Sequence, residues 1–364
     1  MSLALTRIQD IIGQSRLDKN EVAPRQFGAL DLFINQSRRS DSLIDDETKA
    51  RVRNSANTTV KFPVLKYNGD VTVANSRSCT IANGESTSAF QPATFVTYFV
   101  GVSMVPSLYM NNEIAYMRDL RKKLLDASRA LSNAMDQACL AALASAKTQV
   151  LNEALGYTFA SNTLSVPYIG KDTVLGDLDA MESANGFDAG LNVVGDFAMR
   201  ANIAKLAQFG PENAMNKRLE YAGKSFWTSK NITKTSGQFS NFYVVPNGQL
   251  DLLLRYDREA VLGTRAAGHE WSIGNYLPDF DLPVGLHYYE EVGDQSAIAG
   301  DASSDMSCVH TERYGFSLDV AYITAYNSAA ETIPSPYIYG SIATGTGNGL
   351  PVYVTNTVAT QAAQ

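Results

Sequence analysis

The sequence has few of the residues that build disulfide or metal chemistry. Its 364 residues include only three cysteines, three histidines and two tryptophans. Cys79, Cys139 and Cys308 are odd in number, lie far apart and form no CxxC pair. They therefore indicate neither a disulfide framework nor a zinc ribbon, and they suit a reducing cytoplasm.

An excess of positive charge is also absent. Thirty basic and 37 acidic residues give a net charge of −7 and a pI near 5.1. A protein dedicated to nucleic acid usually carries a basic field that replaces the counterions of phosphates, so this class is disfavoured. One basic cluster, Arg118, Arg121, Lys122 and Lys123, fits a phosphate backbone, an acidic neighbour or simply a solvated helix face.

Long apolar runs are missing. No stretch of about 18 consecutive apolar residues occurs, which is the length that a membrane-spanning helix requires. The chain also reaches Arg7 and Asp10 too soon for the apolar core of a signal peptide. We therefore expect neither a membrane span nor secretion by that route.

Familiar catalytic motifs are missing too. There is no HExxH or GxSxG, and Gly345–Gly349 lacks the helix and lysine that complete a P-loop. His287, Glu290, Glu291 and Asp294 offer metal-ligand atoms, but on a strand His287 and Glu290 point to opposite faces. We predict no catalytic residue, no cofactor and no metal, and thus a protein that is not an enzyme.

The N-terminal part of the sequence contains short apolar patches between charged stretches. Phe27–Ile34 and the pair Leu43 and Ile44 are apolar, whereas Gln36–Asp41 and Asp45–Arg53 are rich in charge. Patches this short cannot form a core alone. They indicate an arm that lies across something else.

Two Asn-Gly pairs predict hairpins, because both turn residues tolerate positive φ. The first turn, Asn68 and Gly69 between Tyr67 and Asp70, opens an extended β region that ends in a strand over Thr94–Val105. The second, Asn247–Gly248, separates β-rich runs at Asn241–Pro246 and Leu250–Tyr256.

One long amphipathic helix is predicted over Asn112–Gln149, which contains no glycine or proline. It would extend about 57 Å at 1.5 Å per residue. Its apolar stripe recurs at steps of three and four, with large residues first and small ones later. The large members are Met117, Leu120, Leu124 and Leu131, and the small ones are Ala134, Ala138, Ala141 and Ser145.

The remainder mixes short helices and strands. Helices are predicted near Thr173–Ser183 and over Phe197–Phe209, with a strand at Leu191–Val194 between them. A late strand places alternate residues on one face: Phe316, Leu318, Val320, Tyr322, Thr324 and Tyr326. The predicted fold class is α+β.

The order of these parts resembles the Hong Kong 97-type major capsid protein of tailed bacteriophages. Four segments account for the likeness: residues 97–144, 192–210, 241–260 and 314–342. It extends over most of the chain, from about Thr58 to Ile342, and rests on patterns and not on single residues.

The resemblance implies an architecture of successive parts. We expect an N-terminal arm at 1–54, an extended β-hairpin loop (E-loop) with its leading strand at 55–105, a peripheral domain with the long spine helix at 106–170, an axial domain mixed with peripheral elements at 171–285, returning peripheral strands at 286–343 and a tail at 344–364. Tyr67, Asn68, Gly69 and Asp70 would form the E-loop tip and reach an adjacent subunit. The spine helix would stiffen the shell wall, and the arm up to Arg53 would overlap a neighbour.

The implied function is self-assembly. The family forms hexamers and pentamers that close into an icosahedral head shell around double-stranded DNA, with scaffolding, portal and decoration proteins as partners. This chain would then belong to a virion assembled in the host cytoplasm. Two departures stand out: the arm is too short to include a scaffolding segment, and Lys61 and Lys66 have no assignable acceptor for a crosslink between subunits.

Three other readings compete with this one. An encapsulin-like shell of the same fold would store a cargo enzyme. A β-rich virion surface or adhesion protein would bind glycans through tyrosine and tryptophan, although the long helix and the two tryptophans, Trp227 and Trp271, argue against it. A hydrolase would need a nucleophile or metal set that the sequence lacks.

Overall fold

The computed structural model describes residues 10–11, 27–40, 42–53, 61–64, 89–109, 112–187, 190–206, 219–221, 223–256, 263, 265–266, 268–274, 282–293, 309–325 and 334–345. The predicted α+β class is confirmed. The helices are α1 (Gly28–Ser37), α2 (Asp46–Arg53), α3 (Glu113–Ala146), α4 (Val174–Ala184) and α5 (Phe197–Leu206).

The strands are numbered in chain order. They are β1 (Lys61–Val64), β2 (Ala89–Pro92), β3 (Val96–Met104), β4 (Thr158–Ala160), β5 (Thr163–Val166), β6 (Leu191–Gly195), β7 (Leu219–Tyr221), β8 (Lys224–Thr228), β9 (Gln238–Pro246), β10 (Leu250–Arg255), β11 (Arg265–Ala266), β12 (His269–Gly274), β13 (Val284–Gly293), β14 (Val309–Thr324) and β15 (Ile338–Ala343). Strands β1 and β2 form a separate antiparallel pair.

Six of the described strands form a sheet built around β14. One edge of β14 pairs with β3 from Glu312 to Val320. Its other edge pairs first with β13, up to Ser317, and then with β10, from Asp319 to Thr324. Strands β12 and β11 continue the sheet beyond β13. Strand β14 is therefore the central strand, which pairs with β3, β10 and β13.

Seven described strands form the second sheet, in the order β4-β5-β15-β9-β6-β8-β7. Its core packs helices α4 and α5 against the sheet through buried residues such as Leu178, Met181, Ile203 and Phe242. Strands from distant parts of the chain meet here, because β15 pairs with β5 on one side and β9 on the other. The domain boundaries proposed from sequence stay predictions.

The long helix is confirmed. Helix α3 has 34 residues, and Asn112, where the helix was predicted to begin, is its N-cap. The Asn112 side chain accepts a hydrogen bond from the backbone N–H of Ala115. Leu120, Leu124 and Leu131 are buried on the six-stranded sheet, and Met117 is half-buried against the same core. Glycine and proline are absent from the helix, which accounts for its unbroken length.

The second half of the predicted apolar stripe is wrong. Ala141 and Ser145 are exposed, and Ala134 and Ala138 are only half-buried. The buried face instead continues through Met135, Cys139, Leu140 and Leu143, of which all but Cys139 are large. Residues spaced strictly by seven drift about 20° per repeat around a straight helix of 3.6 residues per turn. Over the second half of α3 the predicted stripe therefore rotates away from the core, and these other residues are buried instead.

The hairpin predicted at Asn247–Gly248 is also wrong. A turn forms there, with φ of 72° at Gly248, but β9 lies in the seven-stranded sheet and β10 in the six-stranded one. Other parts of the chain occupy the turn. The Gln36 side chain accepts from the N–H of Gly248 at 2.7 Å, and Asn192 donates to the Asn247 side chain at 2.7 Å. The turn is therefore a crossover between sheets.

The described part of the arm lies on the chain's own body. Helix α1 packs against α3 and β10, and α2 packs against β10. Lys49 pairs with the buried Asp251 at 3.0 Å, and the backbone N–H of Leu30 donates to the buried Asp136 of α3. Buried polar contacts therefore attach these helices to their own subunit, and the overlap of residues up to Arg53 with a neighbour stays a prediction.

Candidate functional site

The site predicted from sequence, the E-loop tip at Tyr67, Asn68, Gly69 and Asp70, lies outside the described residues. What the structure does describe is the base of that loop, where Lys61 pairs with Pro92 and Val64 with Ala89 in an antiparallel ladder. The loop tip therefore stays a prediction.

The candidate site that the structure adds is the face of the six-stranded sheet opposite α3, here called the open face. Alternate residues of a strand point to opposite faces. On β14, Tyr314, Phe316, Leu318 and Val320 belong to the core shared with α3. Arg313, Gly315 and Ser317 belong to the other face.

Strand registers align the open-face residues in rows across the sheet. The middle row is Gly101, Gly315, His287 and Trp271, each directly opposite the next across β3, β14, β13 and β12. The flanking rows contain Ser103, Arg313, Tyr289 and His269 on one side, and Phe99, Ser317, Gly285 and Ile273 on the other.

Two adjacent glycines make this face concave. A Cβ added at Gly315 would come within 3.2 Å of the Phe99 ring, and one at Gly101 within 3.6 Å. The Phe99 ring thus lies over the glycine positions, yet it is 66% exposed. The resulting depression, the aromatic groove, has a volume of about 470 Å³ and is lined by Phe99, Gly101, Ser103, His269, Trp271, His287, Tyr289, Arg313 and Gly315, among others.

Ring contacts order the groove walls. His269 stacks on Tyr289 with centroids 3.9 Å apart and on Trp271 at 5.2 Å. His287 meets Phe99 edge-on at 5.6 Å and hydrogen-bonds to Ser317 Oγ at 2.5 Å. Burial lowers the pKa of His287, so its ring is neutral at pH 7. The groove is therefore an apolar surface with little charge except Arg313, which pairs with Glu291 at 2.7 Å.

The prediction that His287 and Glu290 point to opposite faces of a strand is confirmed. His287 lies on the open face, whereas Glu290 accepts a hydrogen bond from Tyr288 on the α3 face. Within the described residues, no group of three or more histidine, cysteine or carboxylate side chains has a metal-holding arrangement. The groove residues themselves were missed, because nothing in the sequence shows that β3, β12, β13 and β14 align.

Further apolar side chains are exposed near the α3 N-terminus. Leu108, Ile114 and Val292 are each between 67% and 70% exposed. Tyr116 of α3 donates a hydrogen bond to Glu312, which holds this end of the helix beside the start of β14. Within the described part of the chain, none of the helices has both the length and the apolarity of a membrane crossing.

The comparisons with known proteins find similarity among solved structures and not among sequences. No protein-family model matches the sequence, and no protein of curated function matches it. Among solved structures, the chain is similar to a chain of Mycobacterium phage Bobi (12% identity, TM-score 0.46, covering 90% of this chain and 94% of that one). It is also similar to the capsid of a native GTA particle (11%, 0.46, 90% and 94%) and to the capsid of the cyanophage P-SCSP1u (12%, 0.40, 80% and 85%).

Identities and TM-scores of this size do not establish a function.

Proposed function

We propose that this protein is a shell subunit that assembles with copies of itself, as the major capsid protein of a tailed bacteriophage does. The observation that carries the proposal is the open face: an aromatic groove and the exposed Phe99, on a sheet that the unbroken helix α3 stiffens from behind. Soluble monomers rarely expose contiguous apolar patches larger than a few hundred Å², and grooves of exposed aromatic residues are commonly sites of binding. A second copy is the partner that a shell supplies at every position.

The rest of the architecture supports the same function. A 34-residue helix gives a rigid element about 50 Å long at 1.5 Å per residue. The β1–β2 ladder pairs Lys61–Val64 with Ala89–Pro92, which fits the base of an E-loop whose tip, Tyr67–Asp70, contacts an adjacent subunit. Such parts serve contacts between subunits better than they serve a catalytic pocket.

The finer features belong to the same proposal. Copies would form hexamers and pentamers of an icosahedral head shell in a virion, assembled in the host cytoplasm around double-stranded DNA. Scaffolding, portal and decoration proteins would be its partners. The numbered domain boundaries and the spine role of Met117, Leu120, Leu124 and Leu131 are part of it.

The test is assembly. The full chain, expressed alone and with its genomic neighbours, should form rings or closed shells in negative-stain microscopy. Phe99→Ser should abolish them while circular dichroism stays unchanged, whereas Phe197→Ser, at a 47% exposed phenylalanine on α5, should not. Monomers under every condition would contradict the proposal. Shells filled with a cargo protein instead of DNA would favour the encapsulin-like alternative.

One observation favours a second candidate, glycan binding. Trp271 and Tyr289 are half-buried beside His269, and aromatic faces of this kind stack on the C–H faces of sugars. If the groove binds glycans, Trp271→Ala should abolish binding to a glycan array and leave shell formation intact. Loss of shells without any glycan binding by the parent chain would reject this candidate.

A further inference from the structure

The solvent face of α3 carries a basic stripe that the aromatic groove does not involve. Arg118, Arg121, Lys122 and Arg129 recur at steps of three, four and seven, so they share one side of the helix. With Leu125 and Asp126 they line a shallow depression of about 610 Å³. Arg118 and Lys122 are the exposed members of the stripe. Asp126 pairs with Arg129 at 3.6 Å, and a hydrogen bond from Tyr109, together with the charge of Lys122, lowers the pKa of Asp119. Such a surface fits an anionic partner.

An acidic turn precedes and begins α2. Asp45, Asp46 and Glu47 are consecutive and all exposed. Asp45 accepts a hydrogen bond from the backbone N–H of Thr48 at 2.8 Å, which lowers its pKa and keeps it ionised. The chain therefore offers three negative charges in a row at one exposed point.

The two charged surfaces lie on opposite sides of the six-stranded sheet. Ile44, next to the acidic turn, packs with Leu253 and Ile323. Leu252 and Leu254, the alternate residues of β10, pack into the core shared with α3. Because successive strand residues point to opposite faces, the acidic turn cannot reach the basic stripe of its own chain.

We propose that the basic stripe of one copy binds the acidic turn, Asp45–Glu47, of the next. Two different surfaces on opposite sides of a subunit make a head-to-tail contact, which propagates into rings or sheets instead of stopping at a dimer. The chain supplies both halves of this pair, whereas its net charge of −7 opposes a nucleic acid on the stripe. This inference deepens the proposed function by naming a contact between subunits.

The test uses charge reversal in the full chain. A stripe variant carries Arg118→Glu and Lys122→Glu, a turn variant carries Asp46→Lys and Glu47→Lys, and a third chain carries all four changes. Sedimentation velocity at low salt should show self-association weakened about tenfold or more in each double variant and recovered in the four-change chain. About 0.5 M salt should weaken the parent in the same way, because it screens exposed charges.

Two control variants distinguish an effect of charge on association from an effect on folding. Lys205→Glu reverses an exposed cation on α5, outside the stripe, and should leave association unchanged. Asp46→Asn with Glu47→Gln removes the charge without placing lysines at a helix N-terminus, and it should weaken association as well. Failure of the four-change chain to recover, or unchanged association of the stripe variant, would overturn the contact.

The outcomes also distinguish this contact from the proposed function. If the parent forms shells and every variant associates as it does, the contact is wrong and the proposed function stands. If reversal and recovery occur in small complexes but no ring or shell ever forms, the contact stands and the proposed function fails. If the stripe variant loses only binding to a labelled DNA duplex, the stripe binds nucleic acid and the contact is overturned.

Discussion

The two faces of the six-stranded sheet differ in what covers them. On one face α3 and α1 bury Tyr314, Phe316, Leu318 and Val320. On the other, within the part of the chain that the structure describes, α2 and the segment before β3 cover the part near β10, where Leu253, Ala321 and Ile323 are buried. The remainder of that face is the aromatic groove. One side of the sheet therefore contributes to the stability of the chain, and the other leaves the aromatic groove exposed.

The largest expected difference between the two faces concerns two phenylalanines on the paired strands β14 and β3. Phe316 is 1% exposed on the α3 face, and Phe99 is 66% exposed on the open face. Phe316→Ala should lower the free energy of unfolding by about 3 to 5 kcal/mol, because it leaves a cavity. Phe99→Ala should change it by less than about 1 kcal/mol. Urea unfolding of the unassembled chains measures both, and equal losses would contradict the assigned roles.

The next largest loss of stability is expected at Asp136 of α3, whose carboxylate binds the backbone of α1. Asp136 is fully buried and accepts hydrogen bonds from Leu30 N–H, the Ser229 hydroxyl and the Asn231 amide. Asp136→Ala leaves these donors without their acceptor and should cost roughly 2 to 4 kcal/mol.

Asp126 is a matched control on the same helix, because its side chain is 59% exposed. Asp126→Ala should cost less than about 0.5 kcal/mol. If the two substitutions destabilise equally in thermal unfolding, Asp136 does not anchor the covered face.

The smallest effect is a pH dependence of the open face. Burial lowers the pKa of His287 below its usual 6.5. As pH falls below 6.5 the unfolded chain takes up the proton first, so stability is lost progressively down to the folded pKa. Because the ring is half-buried, this loss should be the smallest of the three effects.

If another group were responsible, the unfolding free energies of the parent and His287→Gln would run parallel between pH 7.5 and 5, separated by a constant offset. We expect instead that the parent loses more stability than the variant over this interval. Parallel pH profiles in urea unfolding would contradict the role of His287.

Helix α3 shows what sequence reasoning could and could not predict. Its length and N-terminal residue follow from local chemistry, because 34 residues contain no helix breaker and Asn112 caps the first turn. Which side chains are buried along its second half depends on the sheet beneath. The predicted stripe of small residues is therefore wrong from Ala134 onward, because Met135, Cys139 and Leu143 are the buried residues there.

The turn at Asn247–Gly248 shows the same division. An Asn-Gly pair determines that the chain turns, because both residues accept the required backbone angles. Whether the flanking strands pair with each other depends on competing partners. Here β15 and β6 pair with β9, β14 pairs with β10, and Gln36 binds the turn.

By itself, the sequence determined the elements that rest on local propensity: the mixed α+β composition, the unbroken α3, and strands such as β3 and β14. The resemblance to tailed-phage capsid proteins also came from their order. Only the tertiary structure decided the crossover between sheets, the docking of residues 28–53 on their own subunit, and the rows that bring Gly101, Gly315, His287 and Trp271 together. Those features depend on registers between strands far apart in the chain, and periodicity within one segment contains no information about the partner of that segment.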